Sequence, residues 1–139
     1  MLTGQVAIVT GASRGIGEAI AGALAKAGAT VVGTATSDKG AESITQKVAA
    51  QGKGAGRVLD VRDAAQCASL VEAVQSEFGA VSILVNNAGA TRDNLLARMK
   101  DEEWDEIQST NLKSVFVLSR AVLRGMMKAR TGRIVNITS

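Results

Sequence analysis

Short apolar runs alternate with longer amphipathic segments along the whole chain. Val6-Ala7-Ile8-Val9-Thr10 reads as a strand, because a brief continuous apolar run with β-branched residues suits a sheet covered on both faces. The loop Gly11-Ala12-Ser13-Arg14-Gly15-Ile16-Gly17 follows. A helix then places Ile16, Ile20, Ala23 and Ala27 on one side, and Gly28 stops it. Residues 30–34 form a second β-branched strand. Ser37 and Asp38 are capping candidates for a helix reaching Gln51, with Ala41, Ile44 and Val48 inward. The glycines at 52, 54 and 56 turn the chain into a third strand at 57–61. Asp63 opens a helix carrying Cys67, Leu70, Val71, Val74 and Phe78 at helical spacing, ended by Gly79. A fourth strand covers 81–85 and a short turn lies near 94–99. One long helix spans 101–129, and after Gly132 a fifth strand covers 133–137.

Apolar strands separated by helices predict an α/β architecture, a doubly wound parallel sheet of the Rossmann kind with right-handed crossovers. The 139 residues suit a single domain, 1–139, with no linker, repeat or low-complexity stretch. Hydrophobic residues make up 46% and charged residues 21%, the balance of a soluble globular chain. No apolar run approaches the roughly 20 residues of a membrane helix, and no basic leader opens the chain. Cys67 is the single cysteine, which excludes an internal disulfide and suits a reducing, cytoplasmic compartment. There is no histidine, so Ser–His pairs and His-ligated metals are excluded; there is no tyrosine either. Sixteen basic against thirteen acidic residues is too small an excess to argue for nucleic acid, and three aromatics give no stacking platform.

The glycine loop carries the most specific chemistry. Gly11 permits a tight turn off the strand, Gly15 lets a pyrophosphate approach the backbone, and Gly17 lets the helix pack close to the strand. The helix N-terminus then offers N–H groups and partial positive charge to phosphate. The plain alternative is a glycine-rich turn without a ligand. No Lys-Ser or Lys-Thr follows the last glycine, which disfavours a P-loop.

The spacing Gly-x-x-x-Gly-x-Gly in Thr10-Gly11-Ala12-Ser13-Arg14-Gly15-Ile16-Gly17 resembles the cofactor loop of short-chain dehydrogenases/reductases. Asn86-Asn87-Ala88-Gly89, Thr110-Asn111-Leu112 and Asn136-Ile137-Thr138-Ser139 are similar to three further motifs of that family, in the same order. The run from Thr91 to Met99 and Gly132-Arg133-Ile134 resemble the branch that reduces 3-oxoacyl groups carried on acyl carrier protein, in fatty acid biosynthesis. The resemblance covers the whole chain.

It implies a nicotinamide dinucleotide cofactor. NAD selection calls for a carboxylate at the end of the second strand, where this chain has Thr34-Ala35-Thr36-Ser37. Thr36 leaves room for a 2′-phosphate and Arg14 can pair with it, favouring NADP(H) over NAD unless Asp38 swings to the ribose rather than capping its helix. The resemblance implies that Asp60 meets the adenine amine and Val61 packs on the ring, while Asn87, Ala88 and Gly89 line the nicotinamide-ribose side. Asp60 and the asparagines are also ordinary turn residues.

In the family a tyrosine hydroxyl protonates the carbonyl oxygen as hydride arrives, assisted by a lysine four residues later, a serine and an asparagine. Ser139 matches the serine and Asn111 the asparagine; a strand-end turn and a backbone-bonding helix residue are their plain readings. The tyrosine and lysine belong about a dozen residues past Ser139. These residues are therefore expected to be the N-terminal portion of a longer reductase, with the sheet incomplete on its C-terminal side and negligible hydride transfer by this stretch alone. A non-catalytic dinucleotide-binding module, or a reductase of another carbonyl, are the alternatives.

The long helix opens with Asp101, Glu102, Glu103, Asp105 and Glu106 and closes with Arg120, Arg124, Lys128 and Arg130, which complements the helix dipole. The basic stripe, extended by Arg133, is a docking candidate for the acidic carrier protein near Arg124, Lys128 and Arg130; a solvated face is the plain reading. Leu112, Val115, Phe116, Ser119, Val122, Leu123 and Met126 are more apolar than one sheet face requires. In the family this helix packs against its mate, implying a homodimer or homotetramer.

Overall fold

A computed structural model describes residues 1–88 and 100–137, the side chains of 107–110 apart. Five parallel strands, β1 (Val6–Val9), β2 (Thr30–Ala35), β3 (Lys53–Val58), β4 (Ile83–Asn86) and β5 (Arg133–Asn136), lie in the order β3-β2-β1-β4-β5. The helices are α1 (Gly15–Lys26), α2 (Asp38–Gln51), α3 (Ala64–Phe78), α4 (Asp101–Gln108) and α5 (Ser114–Ala129). The chain winds outward from β1 to β3, then returns to the other side of β1 for β4. That reversal opens a crevice beyond the carboxyl ends of β1 and β4, where open α/β sheets take ligands.

Alternation along β1 builds two cores. Ala7 and Val9 face a layer with Ala21 and Ala25 of α1 and Ile44 and Val48 of α2. Val6 and Ile8 face the opposite layer with Cys67, Leu70, Val71 and Val74 of α3 and Val117, Leu118, Val122 and Met126 of α5. Burying such residues on both faces, at roughly 25 cal/mol per Å² of apolar surface, makes the sheet a rigid platform for the loops at its edge. The caps follow the sequence. Ser37 Oγ accepts from Gly40 N at 3.1 Å, and Asp63 Oδ1 from Ala65 N and Gln66 N at 3.0 and 3.1 Å. Asp38 occupies the first turn of α2, where its charge complements the helix N-terminus.

Three expectations change. The third strand begins at Lys53 and ends at Val58, rather than covering 57–61. Its glycines are not a turn: Thr30–Ala35 pair residue by residue with Lys53–Val58. A methyl at Gly54 (φ +147) would strike the Val31 carbonyl, and one at Gly56 the Ala41 carbonyl of α2. Glycine there permits close strand and helix packing. On α1, the buried stripe is Gly17, Ala21 and Ala25, whereas Ala23 is exposed and Ile16 is 61% exposed at the crevice. Small residues let this helix sit close to the sheet. The long helix is interrupted: a π-helical turn, Ser109–Lys113, separates α4 from α5. Such a one-turn widening leaves no trace in apolar periodicity and occurs frequently at functional sites. The remaining strand boundaries shift by one or two residues. The turn expected near 94–99 lies outside the described residues.

Candidate functional site

A cleft of about 710 Å³ opens at the switch point. Gly11, Ser13, Arg14, Gly15 and Ile16 from the β1–α1 loop form one wall. Thr34, Ala35 and Thr36 supply the end of β2, Leu59 to Arg62 the segment after β3, and Asn87 and Ala88 the segment after β4. Sequence-predicted residues from four separate segments therefore converge on one cavity. Ala12 and Gly17 are buried behind it: Ala12 N donates to Thr34 O at 2.9 Å, and a methyl on Gly17 would strike Gly11 O. Gly89 and Ser139 lie outside the described residues. Asn111 is half-buried in the π turn rather than within a regular helix, and is engaged by other groups.

The loop is shaped to admit a ligand backbone-first. Gly11 and Gly15 take left-handed φ values of +62 and +61, which a side chain disfavours, and Gly15 faces open space. Arg14 stands at the N-cap of α1 without a side-chain cap bond, unlike Ser37 and Asp63 on α2 and α3. The first turn of α1 thus presents its N–H groups toward the cleft with no side chain across them.

Thr10, read from the sequence as the strand end and first residue of the loop motif but given no role of its own, holds the cleft together. Its hydroxyl, 1% exposed as a residue, accepts from Asn87 N at 3.0 Å and Ala88 N at 2.9 Å. Asn87 Nδ2 donates to Gly11 O at 3.1 Å, so the β1 and β4 loops are locked to one another. Arg62 was also missed. Its backbone N and Nε donate to Asp60 Oδ1 at 3.0 and 3.1 Å, and Nη2 to Oδ2 at 3.0 Å. That side-chain hydrogen bonding to Arg62 holds the Asp60 carboxyl below its ordinary value, and Asp60 in turn raises the guanidinium. Asp60 is the acidic residue of the described lining; Asp38 is not part of it.

Arg120, Arg124, Lys128 and Arg130 are all exposed along and just beyond α5. Leu112, Phe116, Leu123 and Met127 are exposed as well, whereas Val122 and Met126 belong to the core. No described helix is long and apolar enough to cross a membrane.

Fold and cleft together define a Rossmann-like α/β domain with a glycine loop at its switch point. Residues 5–139 match the short chain dehydrogenase family. The chain belongs to that family. It is 60% identical over 136 residues to the 3-oxoacyl-[acyl-carrier-protein] reductase FabG of Escherichia coli (strain K12), which covers 98% of this chain and 55% of that protein. It is 58% identical over 138 residues to the FabG of Vibrio cholerae, covering 99% and 56%. The chain thus spans about half the length of these curated relatives. A crystal structure of a metagenomic short-chain oxidoreductase in complex with NADP superposes with a TM-score of 0.91 at 40% identity, covering 99% of this chain and 63% of that one.

Proposed function

We propose that residues 1–139 act as one dinucleotide-binding domain, and that they hold NADP(H) for the reduction of 3-oxoacyl-[acyl carrier protein] to the 3-hydroxyacyl form in a full-length reductase. The observation that carries this reading is the convergence of the uncapped first turn of α1, Arg14 and Thr36 on one cleft. The N–H groups at Gly15 to Gly17 suit a pyrophosphate, and the open space at Gly15 lets it approach. Arg14 and the short Thr36 hydroxyl suit a 2′-phosphate, and Asp38, in the first turn of α2, is not part of the cleft lining. Asp60 and Val61 suit the adenine, and Asn87, Ala88 and Gly89 the nicotinamide-ribose side. The relatives' printed activity and the neighbour's bound NADP support this assignment.

When bound, NADPH supplies a hydride for the substrate carbonyl. Ser139 would hold the carbonyl oxygen, and Asn111, in the π turn, would support proton delivery to it. The proton donor is a tyrosine, paired with a lysine, which this reading places after Ser139; the 139 residues contain no tyrosine. The exposed cations Arg124, Lys128 and Arg130 suit an acidic carrier protein. The exposed apolar stripe of Leu112, Phe116, Leu123 and Met127 suits the same helix of a second copy in a homodimer or homotetramer. A cytoplasmic location accords with the lone buried thiol. The test is oxidation of NADPH by the full-length protein with a 3-oxoacyl thioester. Turnover is expected, and a folded protein that shows none refutes the reductase reading.

A further inference from the structure

The geometry points to Arg62 as a positioning residue for the adenosine end of the cleft: it fixes the Asp60 carboxylate and anchors it to α4 through Glu106. This inference rests on the nucleotide reading of the cleft and deepens it. Asp60 and Arg62 both line the cavity just beyond β3, a strand that β2 and β1 separate from β4, after which Asn87 and Ala88 follow. Three donors from Arg62 converge on the two carboxylate oxygens at 3.0 to 3.1 Å. One of them is the Arg62 backbone N–H, so the guanidinium completes a clamp that the turn itself begins. Asp60 N donates to Gln66 Oε1 at 3.2 Å, which fixes the backbone of the same residue from α3.

The clamp is not confined to one loop. Arg62 Nη1 lies 3.7 Å from Glu106 Oε1, a residue of α4 more than forty positions along the chain. The guanidinium therefore stands between two carboxylates, one lining the cleft and one on the helix. Side-chain exposures of 56% for Arg62, 39% for Asp60 and 34% for Glu106 leave the group wet enough for a bound ligand to cover it. Three donors leave about one acceptor position of the Asp60 carboxylate for an amine donor, since an ionised carboxylate has about four. Without the grip the short Asp60 side chain is free to rotate, and the donor of the ligand meets a carboxylate that must first be ordered. Sequence reading gave no hint of this, because an Asp-x-Arg triplet after a strand is ordinary turn composition.

The experiment titrates the full-length protein and its Arg62→Gln and Arg62→Lys variants with three probes: NADPH, 2′,5′-ADP, and reduced nicotinamide mononucleotide, which lacks the adenosine half. Binding is read by fluorescence and calorimetry, with thermal melts alongside. Arg62→Gln is expected to weaken NADPH and 2′,5′-ADP about fivefold, the order of an exposed charge-assisted pair, with the mononucleotide unchanged. Arg62→Lys, which keeps one charged donor, is expected to recover part of the loss. Equal affinities for wild type and Arg62→Gln overturn the inference. So does a loss shared equally by the mononucleotide, which marks a general structural role. Failure of the wild-type protein to bind NADPH refutes instead the nucleotide reading of the cleft on which the inference stands.

Discussion

Replacing Thr10 by valine removes one hydroxyl and almost no volume. In the native protein that oxygen accepts from Asn87 N at 3.0 Å and Ala88 N at 2.9 Å, and the residue is 1% exposed. Valine keeps the packing against the sheet, so the cavity contribution is small. Two backbone N–H groups lose their acceptor. Leaving a buried donor unsatisfied costs about 1–3 kcal/mol, and Asn87 and Ala88 are only half-buried, so the lower end applies to each. The expected loss is about 2 kcal/mol in total, or roughly 4–8 °C in melting temperature for a full-length protein about twice as long as this chain. Urea and thermal unfolding of the full-length protein measure it, with Thr10→Ser as the control that keeps the hydroxyl and loses a methyl. Thr10→Ser should fall by about 1 kcal/mol. If Thr10→Val melts with the wild type, or if Thr10→Ser loses as much as Thr10→Val, the hydroxyl does not tie the two loops together and the reasoning is wrong.

Three further outcomes follow from the same geometry. Gly17→Ala should cost about 1–3 kcal/mol and abolish NADPH binding, because the new methyl strikes the Gly11 carbonyl and displaces the loop; a variant that binds normally contradicts this. Asp60, whose carboxyl is held below its ordinary value of 3.8, contributes stability that is complete above that value and fades as pH falls below it toward the folded value. The stability gap between wild type and Arg62→Gln should therefore narrow as pH drops below the ordinary value of 3.8, and a constant gap speaks against the ion pair. Cys67 is buried, and burial first, then the charges of Asp63 and Asp60, push its thiol up. Its alkylation should be slow in the native protein and follow the unfolding transition in urea; fast native labelling contradicts the packing of α3.

Much of the architecture was legible because burial on both faces imposes long apolar runs on parallel strands. The caps at Ser37 and Asp63, and the inward rows of α2 and α3, followed from local chemistry alone. The third strand was misplaced because Gly54 and Gly56 look like a turn until Val31 and the Ala41 carbonyl are seen beside them. Ile16 was expected inward by hydropathy; the close seat of α1 takes Gly17, Ala21 and Ala25 instead. In the cleft, the glycine loop, Thr36, Asp60, Asn87 and Ala88 were legible as motifs at strand ends. The clamp of Arg62 on Asp60 was not, because an Asp-x-Arg triplet reads as ordinary turn composition, and the tie from the Thr10 hydroxyl to Asn87 was not, because it spans 77 positions. Contacts of that separation exist only after the sheet has closed.

The central claim is that the loop and first turn of α1 seat a dinucleotide diphosphate, with Arg14 and Thr36 reading a 2′-phosphate beside it. Equilibrium titration of the full-length protein with NADPH and with NADH tests this most directly. Saturable binding of both, with NADPH tighter by about tenfold or more, is the predicted result, that ratio being the order of one charge-assisted phosphate contact. Equal affinities would remove the role given to Arg14 and Thr36, and no binding of either would contradict the account at its root.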